Sequence, residues 1–540
     1  MRRSRRLWGS TVVVTTLSLA LAACGGGAGS KAGAGDVDPD GSVSVYGTEP
    51  QNSLIPTNTN ELGGTKAVQP MFAALVGFKG DSAQPYNLMA DSITSADSKV
   101  YDIKIKQGWK FHDGTEVKAK NFVEAWNYGA NAANGQLNSD FFSQIEGFDQ
   151  VNPGKGKKPT AEKMSGLVTK GDYEFQVTLT APFSVFSTKI GYTAFAPLPD
   201  VFFKDPQGFG DHPIGNGPMK FVSRAAGQNI KLTRYDEYKG EDKVHFKNLD
   251  IKIYAVQETA YQDLLSGKLD FIETLPPSAI AGGKYKSDLK ENLVNGHLLG
   301  ISTIAVPYYV PGYNNPDLRK AISLAIDRDQ ITKKVMNDTY VPADGYVSQG
   351  IPGYRPGVCK LCHFDPDQAK EYFKKSGFTG KLTIASNADG GRKEPLVAAC
   401  NSIQNVLGVP CDFVPATDFG QWRSIVTGKK LTGMGRSDWS ADYPSIEDFL
   451  NPIYKTGASS NDSSYSNPAV DKKLEEADGT ADKDAAIKMY QQAEDLVAQD
   501  LPSIPVWDEK GVAAKSKNLK TGGLDFRRLG DYQSFQVLKK

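Results

Sequence analysis

Apolar residues alternate with polar ones along some stretches and recur every three or four positions along others, so strands and helices are expected to interleave. The runs Val43-Ser44-Val45-Tyr46, then Tyr101, Ile103 and Ile105, then Tyr173, Phe175, Val177 and Leu179, then Leu249, Ile251 and Ile253 each have the period of a half-buried strand. Residues 71–76 read as part of a buried helix, and 119–131 as a helix entered after Lys118. A helix over 259–267 followed by a strand over 269–272 repeats the α/β theme. The turn Pro213-Ile214-Gly215-Asn216-Gly217-Pro218 leads into strands around Phe221 and over 230–232.

Beyond residue 300 the helix signals sharpen. Asn315-Pro316 supplies a cap and a first-turn proline ahead of the one-sided stripe Leu318, Ala321, Ile322, Ala325 and Ile326. Asp365-Pro366 opens a second helix that Gly377 closes. Asp482 opens a third, with Ala486, Ile487, Tyr490, Ala493 and Val497 along one face. Such stripes predict core packing and say nothing of a ligand.

The N-terminus has a different pattern. Arg2, Arg3, Arg5 and Arg6 precede an uncharged run over 12–23, and Leu21-Ala22-Ala23-Cys24 closes it. A basic start, a short apolar run and small residues at its end form an export signal, shorter than the ~20 residues that span a bilayer. The cysteine at the cleavage point, followed by Gly25-Gly26-Gly27, resembles a bacterial lipobox, which implies a signal peptide over 1–23 and a lipid on Cys24. Residues 24–40 are mostly Gly, Ala, Ser, Asp and Lys and predict a flexible tether.

The remaining chain, within 540 residues in all, exceeds the roughly 250–300 at which a single core stops growing, so more than one structural unit is expected. With 62 Lys plus Arg against 62 Asp plus Glu, there is no basic excess to attract nucleic acid. Apart from Cys24, four cysteines remain: Cys359, Cys362, Cys400 and Cys411. An even number in an exported chain points to two disulfides. Three pairings are possible and the sequence does not choose among them, although proximity favours Cys359–Cys362 with Cys400–Cys411. Cys359-Lys360-Leu361-Cys362 has redox spacing but lies among Pro352, Gly353, Pro356 and Gly357 rather than at the start of a helix.

Catalytic and metal signatures are sparse. There is no Gly-x-Ser-x-Gly elbow, His-Glu-x-x-His pair or phosphate-binding glycine loop. Glu475 and Glu476 are neighbours on a predicted helix and do not face one site. The five histidines, His112, His212, His245, His297 and His363, are far apart in sequence. A cofactor-free, metal-free binding protein is expected rather than an enzyme.

Several segments, taken in order, resemble the peptide-binding branch of the extracytoplasmic solute-binding proteins of ABC importers, family 5. They are Trp109-Lys110-Phe111-His112-Asp113-Gly114-Thr115, the 213–218 turn, Leu264-Leu265-Ser266-Gly267-Lys268-Leu269-Asp270, residues 318–328, Trp439-Ser440-Ala441-Asp442-Tyr443-Pro444 and Pro502-Ser503-Ile504-Pro505. The cysteines and tether are similar to those of actinobacterial oligopeptide-binding lipoproteins. The resemblance implies a two-lobed α/β fold of the periplasmic-binding-protein kind, with mixed sheets, flanking helices and an extra inserted domain. Lobe I would comprise 41–80, 205–300 and 505–540, the inserted domain 81–204, and lobe II 301–504.

It further implies a monomer, lipid-anchored on the outer face of the cell membrane, that passes short peptides to permease and ATPase subunits. The same scaffold could instead take an oligosaccharide or a metal or haem complex. Asp442 would pair with the ligand's α-amino group, Trp439 would wall a side-chain pocket, Ser440 would offer backbone groups, and Tyr443 would complete the motif. Arg436 occupies the position from which some members reach a carboxylate, and the planar guanidinium suits that role; an ion pair within the protein is the alternative. Asp438 departs from the glycine of many relatives. Asn60 and Glu61, after the first loop, are expected on the opposite wall.

Overall fold

Two strands of 13 residues each, Leu293–Ala305 and Ser503–Lys515, form the spine of the molecule. In this computed structural model they pair antiparallel, from Leu293 opposite Ala514 to Ala305 opposite Ser503, with register shifts between His297 and Ile301 and between Ser302 and Thr303. Ile301, Ser302, Thr303 and Ile304 are buried in succession, as are the residues from Ser503 to Glu509. Burial on both faces is what a central strand requires, and it removes the alternation that marks an edge. The described residues are 36–539, apart from 155, 389–391, 418 and 459. The proposed signal peptide and Cys24 lie outside them.

From this spine a mixed sheet of eleven strands extends both ways. On one side Met434–Ser440 pairs with Leu293–Ala305, followed by Leu382–Asn387 and Cys411–Ala416. On the other, Phe271–Ile272 joins Ser503–Lys515 to Ser42–Gly47, and Asn248–Ile253, Asn229–Arg234 and Met219–Ala225 continue outward. Residues near the start of the described chain thus share a sheet with a strand near its end. A separate antiparallel sheet of four strands contains Ala90–Thr94, Val100–Ile105, Glu174–Thr178 and Leu167–Gly171. Its buried face packs on the helix Ala119–Ala130, where Phe122 stacks on Phe175 and Trp126 meets the same ring edge-on.

The capping residues act as their chemistry dictates. The Asn315 side chain accepts from the amides of Asp317 and Leu318, Asp365 from Gln368 and Asp482 from Ala485. Gly377 closes its helix at φ 63°, a left-handed conformation that glycine adopts without strain. Residues 71–76 differ from expectation. The helix runs from Leu62 to Met71, the chain then extends, and Val76–Phe78 is a strand. Gly63, Gly64 and Pro70 mask the helical pattern, and the Glu61 carboxylate starts the helix by accepting from the amides of Gly63 and Gly64 at 2.7 and 2.9 Å.

The disulfides join Cys359 to Cys362 and Cys400 to Cys411. The second ties the helix Lys393–Leu407 to the strand Cys411–Ala416 across a sequence separation of 11. Loop-closure entropy gives about 3 kcal/mol for a loop of that length and about 2 kcal/mol for the shorter one. Replacing Cys400 and Cys411 by serine should therefore lower unfolding free energy in urea more than replacing Cys359 and Cys362; equal losses would contradict the entropic account.

Candidate functional site

The pairing of the two spine strands breaks between His297 and Ile301, so Leu298, Leu299 and Gly300 leave the register. The backbone groups of Leu299 turn to other partners. Its carbonyl accepts from the Ala441 amide at 2.8 Å, and its amide donates to the Phe526 carbonyl at 3.2 Å. The end of the Met434–Ser440 strand and the 525–530 turn are thereby drawn to one point on the spine.

Immediately after this strand the chain turns a corner into the helix Ile446–Tyr454, which Ser445 caps. Asp448, 2% exposed, braces the corner. Its Oδ2 accepts from the Asp442 amide at 3.0 Å and from Trp439 Nε1 at 3.2 Å. Tyr443 donates its hydroxyl to Glu447 at 2.7 Å. Asp478, at the end of the helix Pro468–Asp478, accepts from Tyr490 and from Asn451. Asp442 is different: it is partly open, and among the described residues no donor reaches its carboxylate oxygens.

Lys189 acts on these acids and favours the charged forms of Asp442 and Glu447, while Lys455 and Lys189 both act on Asp478. Burial pushes the Asp442 carboxyl up to about 7, with Lys189 pulling the other way. Burial, then Asp478, raises Glu447; burial, then Asp442 and Glu447, raises Asp448 well above the carboxylate range. Burial also raises Asp478. Burial thus disfavours the ionised forms of these groups, and positive charge nearby favours them.

A second charged cluster lies on the same strand and its neighbours. Arg436 donates to Asp438 at 2.8 Å and to Asn387 at 3.0 Å. Arg392 bonds Asp438, Glu509 and the Tyr340 hydroxyl, and Arg528 pairs directly with Glu509. Three guanidinium groups thus meet two carboxylates. Burial acts to raise Asp438, but Arg436 and Arg392 outweigh it and hold the carboxyl below its usual range. The added acid is matched within the protein.

Beside this cluster lies a cavity of about 610 Å³ whose wall includes Leu62, Lys66, Glu273, Leu298, Arg392 and Arg528. Asn60 is exposed, and Glu61 is committed to capping the helix that supplies Leu62 and Lys66. Trp439 is half-buried and Ser440 exposed. Asp448, Lys189, Arg392, Arg528 and Glu509 went unnoticed in the sequence. Asp448 had a signal, because Glu447-Asp448 sits between Ile446 and Phe449 in an otherwise apolar helix start. The other four come from distant segments without a shared motif. No cluster of His, Cys, Asp or Glu suited to a metal occurs among the described residues.

A mixed sheet on a two-strand spine, a separate small sheet and a cavity lined by charged residues fit a solute-binding protein of the two-lobed α/β kind. The chain belongs to the bacterial extracellular solute-binding proteins, family 5, whose family model matches residues 84–461. It is 24% identical over 521 residues to the dipeptide-binding protein DppE of Bacillus subtilis, covering 89% of this chain and 91% of that one. It is 26% identical over 482 residues to the glutathione-binding protein GsiB of Pectobacterium atrosepticum, covering 86% and 88%. Among solved structures, the ABC transporter-associated periplasmic binding protein DppA of Helicobacter pylori, in complex with the peptide STSA, aligns with a TM-score of 0.75 and 19% identity over 93% of this chain and 98% of that one. The family consists of binding proteins, not enzymes.

The raised carboxyls make a signed prediction. A group whose folded pKa lies above its unfolded value of about 4 contributes stability that is lost as pH rises through the folded value. The melting temperature of the unliganded protein should therefore fall between pH 5 and pH 8, and Asp448→Asn should flatten that fall. An unchanged slope in the variant would remove Asp448 from the account.

Proposed function

We propose that the chain is the substrate-binding subunit of an ABC importer, anchored by lipid at Cys24 outside the cell membrane, which captures short peptides and delivers them to permease and ATPase partners. The carrying observation is the Asp442 carboxylate, partly open and, among the described residues, without a donor, in a corner braced by Asp448. A peptide's α-ammonium supplies the missing partner, and ionising the acid beside it exchanges a proton for a charge-assisted bond. The arginine cluster of Arg392, Arg436 and Arg528 offers an opposite pole for a carboxylate. Trp439 lends an apolar wall, while Ser440 exposes backbone for an extended ligand. A neutral oligosaccharide would leave both poles unmatched. The peptides named for its relatives fit the same reading.

In this reading lobe I comprises 41–80, 205–300 and 505–540, lobe II comprises 301–504, and 81–204 form the inserted domain. The break in the spine pairing at 298–300 falls at one of these boundaries and supports them. Closure follows where a ligand contacts both lobes and so favours the shut state.

Calorimetry with Ala-Ala-Ala tests the site. Asp442→Asn should weaken binding by about 3–5 kcal/mol, the usual cost of breaking a buried charge pair, and N-acetylated Ala-Ala-Ala should fail with the wild type. Wild-type affinity in the variant would refute the assignment. The anchor is tested separately: Cys24→Ala should move the protein from the membrane fraction to the medium, and continued membrane retention would rule out lipidation there.

A further inference from the structure

The 525–530 turn gives two neighbouring arginines different partners. Arg527 folds back on its own turn, where Nε and Nη2 donate to the Asp525 carboxylate at 2.8 and 2.7 Å. Arg528 instead reaches the spine and pairs with Glu509. Its backbone is left-handed, at φ 68°, a conformation that strains a residue with a side chain and persists only where the surroundings enforce it. Here the turn enforces it: the Arg528 amide donates to the Asp525 carbonyl at 3.0 Å, and the Asp525 amide to the Leu529 carbonyl at 2.7 Å.

The other two guanidinium groups of the cluster are more fully engaged, Arg392 by Asp438, Glu509 and Tyr340, and Arg436 by Asp438 and Asn387. Among the described residues Glu509 is the one partner of the Arg528 guanidinium, so most of its five N–H donors meet no acceptor there. Arg528 lines the cavity of about 610 Å³, to which Leu275, Ile280, Leu298, Val335, Met336 and Val512 give an apolar surface.

This cavity adjoins the Asp442 motif. Leu298 lines it, and the next residue, Leu299, holds Ala441 through its carbonyl. A Cβ on Gly300 would lie 3.2 Å from Glu509 Oε2 and 3.3 Å from the Trp439 carbonyl oxygen, so the carboxylate that holds Arg528 and the backbone of Trp439 border one spot.

We infer that Arg528 receives the C-terminal carboxylate of the bound peptide and that the cavity takes the side chain of its last residue, which selects short peptides ending in a large apolar residue. This rests on the peptide-binding reading of Asp442: a ligand that starts there and passes Trp439 meets Arg528 and the cavity next. A planar guanidinium with donors to spare matches a carboxylate at two points. An apolar side chain that leaves water for the cavity wall gains with each carbon it buries. Arg436, the arginine that the sequence singles out, is already engaged with Asp438 and Asn387.

The test is calorimetry at pH 7 with Ala-Ala-Leu, Ala-Ala-Ala-Leu and Ala-Ala-Ala-Ala-Leu, each as free acid and as C-terminal amide. At the length that binds most tightly, the acid should bind roughly tenfold or more tightly than the amide, the worth of a charge-assisted bond. Arg528→Gln should bring acid and amide close to equality, while Arg528→Lys, which keeps a cation, should preserve the preference for the acid. An Arg528 that only braced Glu509 would lower both affinities alike and leave their ratio unmoved. Ending the best-bound peptide in Ala in place of Leu should weaken it by roughly tenfold or more. Equal affinities for acid and amide at every length would overturn the inference whether or not the variants fold, as would a ratio that Arg528→Gln leaves unchanged, or indifference to the last side chain. If N-acetylation still abolishes binding in those cases, this inference alone fails. N-acetylated peptides bound as well as free ones would defeat the Asp442 reading beneath it.

Discussion

At the corner after the Met434–Ser440 strand, Asp442, Glu447, Asp448 and Asp478 gather near Lys189, with Glu447 and Asp448 buried and Asp442 and Asp478 half-buried. An ionised carboxylate in such a place is costly unless a cation or several donors meet it. Three of the acids are met by protein donors, and Asp448 uses its bonds to hold Asp442 and Trp439 in place. Among the described residues no donor reaches the fourth, Asp442, and in the proposed function a ligand's α-ammonium meets it. This imbalance of charge gives the site its chemistry, and the surrounding fold maintains it.

The fold does so through its two long strands. Their pairing shifts register around Leu298 to Gly300 and again between Ser302 and Thr303, and at Leu299 the spine gives backbone bonds to Ala441 and Phe526. One irregularity thus brings the acidic corner and the 525–530 turn together. The arginine cluster is near for the same reason: Arg436 and Asp438 lie on the strand that leads to the corner, while Arg528 reaches Glu509 on the spine. Arg436, Asp438 and Glu509 are carried on strands, where their spacing is set by the sheet, and Arg392 and Arg528 reach them from adjoining turns.

Much of the architecture is legible in the sequence because it rests on local chemistry. Asn315, Asp365 and Asp482 announce helices by the bonds their side chains make to nearby amides. The alternation of Tyr101, Ile103 and Ile105 reports one buried face of a small sheet. Local reading fails where tertiary packing decides. Glu61 is an uncommon cap on a helix containing two glycines and a proline, so the helix over Leu62–Met71 is hidden. The spine strands are buried on both faces over 301–304 and 503–509 and lose there the period that would reveal them. The site divides similarly. Asp442 lies in a recognisable motif, whereas Lys189, Arg392 and Arg528 come from segments far apart in the chain, and no spacing rule links them.

The most direct measurement is a crystal structure of the protein with a bound tripeptide. The account predicts the peptide's α-ammonium within hydrogen-bonding distance of the Asp442 carboxylate, with the Asp448 bonds to Trp439 and to the Asp442 amide retained. A tripeptide seated with its amine elsewhere, and Asp442 facing solvent, would contradict it.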